Sequence, residues 1–318
     1  TEAVVKEIIS SGILPDGSLQ LLCGSAGNLL DFLTSQDVVT FTGSAYTGRL
    51  LKTHPRVVSE SVPFNMEADS LNCMVLGEDV QPGQPEWDLF VKEVKKEMTV
   101  KAGQKCTAVR RIFVPENKIE EIGKAIASAL HQTVIGNPLN DKVRMGSLAG
   151  MGQREEVKQQ VQQLLSVSSI ISGSLHSISV VDADDVNGAF MSPLLLMNER
   201  PFVNTASHDI EAFGPVSTIM PYKNMDEVVE LSKLGKGSLC SSIVTADNNI
   251  AKQYVLGAAS HHGRILVLNE ECAKESTGHG SPLPLLVHGG PGRAGGGEEM
   301  GGLRGIRHYL QRTAIQGS

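Results

Sequence analysis

The sequence predicts an α/β protein whose sheets are largely parallel. Short apolar runs rich in β-branched residues alternate with segments whose apolar residues recur at helical spacing. Such alternation favours parallel pairing, because each connecting helix returns the chain to the same end of the sheet. Hydrophobic residues make up 41% and charged residues 20% of the 318 residues, a balance typical of globular proteins rather than disordered ones. A chain of this length can bury a large core, and about two domains are expected.

The first quarter of the chain is predicted to mix helices and short strands. Residues 2–11 form an amphipathic helix in this interpretation, because their apolar side chains recur every three to four positions. Gly12 and the turn at 15–17 end that helix. The predicted strands that follow are 19–23, 37–42, 58–63 and 71–76, with helices predicted at 26–33 and from Gly43-Ser44 through Leu51.

The alternation is more regular in the rest of the chain. The predicted helices are 87–98, 119–130, 152–165, 225–234 and 250–259. The predicted strands are 111–114, 239–244 and 264–268, with a strand-rich stretch that ends at Pro221. Glycine then accounts for eleven of the 28 residues from Gly278 to Gly305. Because charged residues and a proline interrupt these glycines, we expect a backbone that turns sharply or passes close to other atoms, rather than a flexible linker.

Charge and cysteine content exclude several classes of function. The net charge of −7 argues against a general nucleic-acid binder, which needs a basic face. No apolar run approaches the roughly 20 residues of a membrane span, and no signal-peptide pattern is present. The five cysteines are widely spaced and form no C-x-x-C pair, so we expect neither a disulfide framework nor a metal site. The cytoplasm is the default compartment on these grounds.

Residues 41–48, Phe-Thr-Gly-Ser-Ala-Tyr-Thr-Gly, could bind a phosphate. A predicted strand ends at Gly43-Ser44 and a predicted helix follows, and the N–H groups and dipole of a helix start attract anions. The segment matches neither G-x-G-x-x-G nor a Walker loop. Gly43 as a simple turn and Ser44 as a simple N-cap therefore remain alternatives.

Cys106 and Glu67 are candidate catalytic residues. Cys106 follows a glycine and lies near Lys105 and Arg110, and positive charge increases the thiolate fraction of a cysteine. A structural thiol is the alternative. Glu67 lies among apolar residues between two predicted strands, where burial would suit a general base, although a solvated loop carboxylate is the alternative. A fourth segment, Glu211 to Val216, places an acid and an aromatic before a Gly-Pro turn and could equally be only a turn.

Taken together and in this order, these segments resemble the aldehyde dehydrogenase superfamily. The resemblance implies that Cys106 is the nucleophile that attacks an aldehyde, and that Glu67 is the base that activates water. The Glu-Ala-Phe-Gly-Pro-Val segment resembles the family's E-x-F-G-P-V, so Glu211 would hold the nicotinamide ribose and Phe213 would pack beside the nicotinamide. Gly289-Gly290 through Tyr309 resembles the closing segment of the family.

The resemblance also implies a dinucleotide cofactor, NADP or NAD. The segment at 41–48 looks like the family's pyrophosphate loop, and the cofactor contacts implied by it are Thr42, Gly43, Ser44 and Gly48. The fold implied is aldehyde dehydrogenase-like. It comprises the remainder of a Rossmann-type NAD(P)-binding domain at 1–67, an α/β catalytic domain at 68–300 and an oligomerisation segment at 301–318.

Three stretches are similar to one branch of the family, the semialdehyde dehydrogenase half of the bifunctional PaaZ-type ring-opening proteins of phenylacetate catabolism. They are 66–73 (MEADSLNC), 274–284 and 287–299. Most family members have Leu-Gly-Gly-Lys after the base, whereas this chain has Ala-Asp-Ser-Leu at 68–71. This branch implies a CoA-thioester semialdehyde as the substrate. The semialdehyde dehydrogenases of the benzoyl-CoA pathway are the nearest alternative.

Further expectations follow from the resemblance. The strand with the family's ribose-binding lysine, and the asparagine of its oxyanion hole, would lie upstream of Thr1, and an enoyl-CoA hydratase domain would follow Ser318. Residues 304–315 would form a strand that joins subunits, which implies at least a dimer. Two other functional classes stay open: a cysteine hydrolase that pairs Cys106 with His262 or His279, and a non-catalytic assembly fragment.

Overall fold

The computed structural model describes residues 1–281, 283, 286, 288–299 and 305–317. The chain forms two compact units, one of residues 1–39 and 49–64, the other of residues 40–48 and the chain from Asn65 onward. The helices are α1 (Glu2–Ser10), α2 (Ala45–Lys52), α3 (Pro55–Ser59), α4 (Pro85–Thr99), α5 (Ile119–His131), α6 (Met151–Leu164), α7 (Met225–Lys233), α8 (Asn248–Ala258) and α9 (Glu270–Ala273). The strands are β1 (Val39–Thr42), β2 (Phe64–Glu67), β3 (Cys73–Leu76), β4 (Arg111–Pro115), β5 (Ser169–Ser172), β6 (Leu194–Met197), β7 (Val216–Tyr222), β8 (Ser238–Val244), β9 (His262–Leu268), β10 (His288–Gly289) and β11 (Glu298–Glu299).

The first unit departs most from the sequence prediction. Helix α1 is confirmed, but residues 19–23 are irregular rather than a strand, and the helix predicted at 26–33 is a short 3-10 helix at Leu29–Phe32. The strand predicted at 58–63 is also wrong. The ring of His54 accepts from the N–H of Arg56, and Pro55 occupies the first turn, so helix α3 forms there and the strand begins only at Phe64.

A seven-stranded sheet forms the centre of the second unit. Its order is β5-β6-β7-β4-β3-β8-β9, and each neighbouring pair is parallel except the antiparallel β5–β6 pair at one edge. The predicted α/β architecture with a largely parallel sheet is therefore confirmed. Three adjacent strands of the centre, β7, β4 and β3, have their amino ends at the same edge of the sheet because they run in parallel.

Both faces of the sheet are covered by buried apolar side chains. In β3, Met74 packs in one core cluster with Phe90 of α4, whereas Val75 packs in another with Val228 of α7. Successive residues of a strand point to opposite faces, so a continuous apolar run is the pattern of a strand buried on both sides. This explains why Leu71–Leu76 was identifiable as a strand.

The glycine-rich segment is held close to the sheet. A β-carbon on Gly289 would collide with the carbonyl of Gly297, and one on Gly290 would collide with the carbonyl of Ser238. Glycine at these positions allows β10 and β11 to pair and to approach the start of β8. The close backbone approach predicted for the glycines is therefore confirmed within residues 288–299.

The predicted C-terminal strand is not formed in the part of the chain that the structure describes. Residues 305 and 306 are helical, a 3-10 helix follows at Arg307–Tyr309, and residues 310–317 are irregular, while Arg304 lies outside the described residues. An extended segment needs a neighbouring strand to satisfy its backbone groups, and a single chain offers none to this one. Its role in oligomerisation stays a prediction. Among the described helices, none combines the length and the apolar character that crossing a membrane would require.

Candidate active site

Three of the predicted functional residues lie at the same edge of the central sheet. Glu67 precedes β3, Cys106 precedes β4 and Glu211 precedes β7, and these strands are adjacent and parallel. Because their amino ends meet, residues that are far apart in sequence come together. The topology therefore explains how three separate motifs form one site.

These residues line one cavity of about 640 Å³ within the second unit. Of the residues predicted from the sequence, its lining contains Thr42, Gly43, Ser44, Glu67, Cys106, Glu211 and Phe213. Gly48 is not part of that lining. It is buried, and a β-carbon there would lie 2.5 Å from the sulfur of Met66, so its role is to let α2 pack closely.

The turn between β1 and α2 is capped by its own serine. The hydroxyl of Ser44 accepts a hydrogen bond from the N–H of Thr47 at 3.1 Å, as an N-cap does. The N–H of Ala45 donates to the carboxylate of Asp69 at 2.9 Å, and that carboxylate lies 3.4 Å from the guanidinium of Arg293. An anion at this turn would therefore lie near the positive charge of Arg293. It would also lie near the Asp69 carboxylate, which already accepts from one N–H at the start of α2.

The loop that precedes Cys106 is held in an uncommon conformation. Lys101 and Ala102 have φ of 54° and 52°, and Gly103 follows with φ of 67°. Left-handed backbone costs an ordinary residue about 1–2 kcal/mol, so surrounding contacts must hold it. Arg110 supplies two of them, since its guanidinium donates to the carbonyls of Gly103 at 2.8 Å and of Gly214 at 2.7 Å.

Asn72 fixes the backbone of Cys106 from the other side. Its side-chain amide donates to the carbonyl of Cys106 at 2.8 Å and to that of Ala108 at 3.0 Å. Its oxygen accepts from Ser70 at 2.6 Å and from the N–H of Cys240 at 3.0 Å. All four bonds are made by one fully buried side chain, so the turn of Cys106 is tied directly to the start of β3.

His288 joins the two candidate catalytic residues. Its Nε2 atom lies 3.9 Å from Sγ of Cys106 and 3.2 Å from Oε2 of Glu67. Glu67 and His288 are buried, with side-chain exposures of 4% and 10%, and Cys106 is half-buried. One ligand atom from each residue lies within 4.8 Å of the others, an arrangement that could hold a metal ion as well as a proton. The absence of a metal site stays a prediction from the sequence.

The two cations that flank Cys106 in sequence make strong contacts elsewhere. The ammonium of Lys105 pairs with the buried carboxylate of Glu97 at 2.7 Å. Arg110 is buried, and its guanidinium serves the carbonyls described above. His288, which was not among the residues predicted from the sequence, is an ionisable partner of the thiol.

Glu211 is a buried carboxyl with an altered acidity. Its side chain is 9% exposed, and burial raises its pKa to about 7, although Arg110 at 3.5 Å opposes this change. Oε2 accepts from the N–H of Ser70 at 3.2 Å, whereas Oε1 lies 3.5 Å from Nε of Arg110 and has no closer hydrogen-bond donor among the described residues. An oxygen of this kind, at the wall of a cavity, can accept a hydrogen bond from a hydroxyl group of a ligand.

The pairing of Cys106 with His262 or His279 is not found. His262 contacts the hydroxyl of Ser238 at 2.6 Å, and His279 contacts Sγ of Cys240 at 3.2 Å. Burial lowers the pKa of both histidines to about 3, so both rings are neutral near pH 7. A cysteine hydrolase would therefore have to use a histidine other than these two.

Several residues of the site were not predicted from the sequence: Asp69, Asn72, His288 and Arg293. Each lies inside a stretch that was noted only for its resemblance to a family branch. The sequence did contain one signal for His288. A single histidine follows an apolar run there and directly precedes Gly289-Gly290.

The whole chain is similar to one protein family. Residues 1–315 match the profile of the aldehyde dehydrogenase family. The 3,4-dehydroadipyl-CoA semialdehyde dehydrogenase of Aromatoleum evansii is 40% identical over 290 residues, which cover 91% of this chain and 56% of that protein. Protein MaoC of Klebsiella aerogenes is 50% identical over 175 residues, which cover 55% of this chain and 50% of that protein. The chain thus spans about half the length of these relatives.

Solved structures show the same fold. Betaine aldehyde dehydrogenase of Staphylococcus aureus, crystallised in complex with NAD⁺, superposes with a TM-score of 0.79 at 19% identity, over 98% of this chain and 58% of that one. An oxidoreductase of Marinobacter aquaeolei gives a TM-score of 0.75 at 22% identity, over 96% and 58% of the two chains. The predicted fold class is confirmed by these similarities.

Proposed function

The chain belongs to the aldehyde dehydrogenase family, and we propose that its site oxidises an aldehyde to a carboxylic acid with NADP⁺ or NAD⁺. One observation supports this most strongly. Cys106 and Glu67 line the same cavity as the Thr42–Ser44 turn and Glu211. A nucleophile, a base and two polar contacts for a dinucleotide thus share one space.

Cys106 would form the covalent intermediate. Its thiolate attacks the carbonyl carbon, the C–S bond forms and the π electrons move to oxygen, giving a thiohemiacetal. The backbone N–H of Cys106 would stabilise that oxyanion, and Asn72 keeps this part of the backbone fixed through the Cys106 carbonyl. The rigid loop before Cys106 limits the positions of the sulfur, which favours attack from a single direction.

A bound nicotinamide would accept the hydride that leaves the thiohemiacetal carbon. The residues present fit such a cofactor in two respects. Oε1 of Glu211 is buried at the cavity wall without a hydrogen bond to the described residues, which suits a ribose hydroxyl. The second respect is the Thr42–Ser44 turn. A β-carbon on Gly43 would lie 2.6 Å from the ring of Phe41, so this turn must present bare backbone. Phe213 lines the cavity and would pack beside the nicotinamide.

Glu67 would release the product. Its carboxylate takes a proton from a water molecule that attacks the Cys106 thioester, and the thiolate leaves as the acid forms. Burial of the Glu67 side chain to 4% exposure keeps bulk water from competing with its interactions. This assignment distinguishes the two residues: Cys106 holds the acyl group, and Glu67 acts on the water.

We propose a CoA-thioester semialdehyde of aromatic catabolism as the substrate. The support is similarity: the relative from Aromatoleum evansii is named for 3,4-dehydroadipyl-CoA semialdehyde. The choice between NADP and NAD, association into at least a dimer, and an enoyl-CoA hydratase domain in the whole protein remain predictions from the family branch.

The test is dinucleotide reduction by the protein with 3,4-dehydroadipyl-CoA semialdehyde, compared with an aliphatic semialdehyde that lacks CoA. We expect reduced nicotinamide to appear with the CoA substrate, more slowly with the other aldehyde, and not at all in Cys106→Ala. Equal rates for both aldehydes would contradict the substrate class. A folded protein that reduces neither NADP⁺ nor NAD⁺ would support the assembly-fragment alternative instead.

A cysteine hydrolase is the second candidate, because His288 lies beside Cys106 and Glu67 as in a nucleophile–base–acid group. It predicts ester hydrolysis at the same rate with and without dinucleotide, and no reduced nicotinamide. The assay above separates the two functions.

A further inference from the structure

We propose that His288 is a third catalytic residue, which takes the proton of the Cys106 thiol and, with Glu67, holds it while the sulfur is a nucleophile. This inference rests on the proposed function for the identity of the nucleophile. It assigns to this chain a way of generating the thiolate from groups that lie in contact with one another.

The geometry places one nitrogen between two acceptors. Nε2 of His288 lies 3.9 Å from the sulfur and 3.2 Å from the carboxylate oxygen. Nε2 can take the thiol proton only from the neutral tautomer that carries its proton on Nδ1, and in that tautomer a bare Nε2 lone pair faces the sulfur and the carboxylate. Once protonated, Nε2 donates to both, and these charge-assisted contacts hold the proton on the ring.

His288 acts on the sulfur rather than on the substrate. Cys106 and Glu67 line the cavity, and His288 is not among the described residues that do. It is placed by the β10–β11 pairing, in which His288 lies opposite Glu299 and Gly289 lies opposite Glu298. The glycines of this segment thus have a catalytic consequence, because they bring His288 to the amino ends of the sheet strands.

The other titratable groups around Cys106 are committed to different partners. Lys105, on the same loop, pairs with Glu97 of α4. Arg110, which precedes β4, donates to backbone carbonyls and approaches Glu211. On β8, burial raises the pKa of Cys240, so this thiol stays protonated and takes no proton from Cys106. His288 is a basic group whose Nε2 lies in contact with the sulfur.

The proton balance closes over the proposed cycle. The thiol proton moves to Nε2, the C–S bond forms, and the hydride leaves to the bound nicotinamide, which gives the thioester. Glu67 then takes one proton from water, and the thiolate expelled from the tetrahedral intermediate again faces the imidazolium. The proton from water passes to solvent, so the cycle consumes aldehyde, water and oxidised dinucleotide and releases acid, reduced dinucleotide and one proton.

The test measures alkylation of Cys106 by iodoacetamide against pH, without aldehyde or cofactor. It compares wild type, His288→Gln, His288→Phe and the exposed control His176→Gln, with EDTA present so that no metal bridges the three residues. Peptide mapping follows Cys106 alone. We expect both His288 variants to react about tenfold or more slowly near pH 7, with a midpoint about one pH unit or more higher, and the control to match wild type.

Aldehyde oxidation in the same proteins provides a second readout. It should fall in the His288 variants near pH 7 and recover in part as the pH rises, because the thiolate then forms without help. Alkylation profiles identical to wild type in folded variants, checked by circular dichroism, would overturn the proposal even if turnover fell. If no protein turns over aldehyde but the profiles shift as expected, the proposed function fails and the role of His288 stands.

Discussion

Replacing Glu211 with glutamine should make the protein more stable above neutral pH. Glutamine has the size of a protonated glutamate and carries no charge at any pH. The wild-type carboxyl is buried, with its pKa raised to about 7, so folding above that pH keeps a charge in a poorly solvated position. The amide removes this cost while it fills the same space.

The magnitude follows from the pKa. A rise from the ordinary 4.5 to about 7, at about 1.4 kcal/mol per pKa unit, corresponds to about 3 kcal/mol of unfolding free energy. The pKa of Glu211 is higher in the folded state than in the unfolded state. Its contribution to the unfolding free energy is therefore fully present below about pH 4.5 and is lost as the pH rises through about 7. Between about pH 5 and pH 8 wild type should therefore lose about 2–3 kcal/mol relative to Glu211→Gln.

Urea unfolding followed by circular dichroism at several pH values measures this difference. The control is Glu199→Gln, since Glu199 is exposed and its carboxyl is solvated in the folded and unfolded chain alike. The control should track wild type at each pH. If Glu211→Gln also tracks wild type from pH 5 to pH 8, or is less stable at pH 8, then Glu211 is an ordinary carboxylate and the electrostatic argument is wrong.

Three other predictions concern the thiols, the base and the chain end. Brief iodoacetamide labelling should modify Cys106 fastest of the five cysteines, because Cys73 and Cys240 are fully buried and the exposed Cys23 and Cys272 lack the His288 contact; faster labelling of any other would contradict this. Glu67→Gln should lower turnover by about 10²–10⁴-fold while Cys106 still attacks the aldehyde; near wild-type turnover in steady-state assays would remove Glu67 from the mechanism. Deleting residues 304–318 should lower the number of subunits found by light scattering, because residues 305–317 would gain a neighbouring strand only in an assembly. An unchanged number of subunits, or a monomeric parent, would exclude a role of this segment in oligomerisation.

The sequence was sufficient to predict the sheet and seven of the sixteen residues that line the cavity. Strands buried on both faces are visible as apolar runs, such as the one that becomes β3. Cys106, Glu67 and Glu211 were candidates from local sequence, the family resemblance implied their roles, and the parallel topology brings them together. The same local signals located the turn at Gly43-Ser44, although its serine proves to cap the helix.

The features that could not be predicted depend on distant contacts or on competing local signals. His288 meets Cys106 across 182 residues of sequence, and that pairing is set by the path of the glycine-rich segment. Tertiary packing also decides the partners of Lys105 and Arg110. Positive charge close to Cys106 in sequence therefore did not identify His288, the residue proposed to take the thiol proton. At Pro55, the capping of a short helix outweighed the β-branched residues that follow.

The most direct test of the account is to trap the acyl group on Cys106. The Glu67→Gln variant is mixed with 3,4-dehydroadipyl-CoA semialdehyde and NADP⁺ or NAD⁺, quenched in acid and analysed by peptide mass spectrometry. The account predicts an acyl adduct on the peptide that contains Cys106, present only when both aldehyde and dinucleotide are added. An adduct on another residue, one that forms without dinucleotide, or none at all while reduced nicotinamide accumulates, would contradict it.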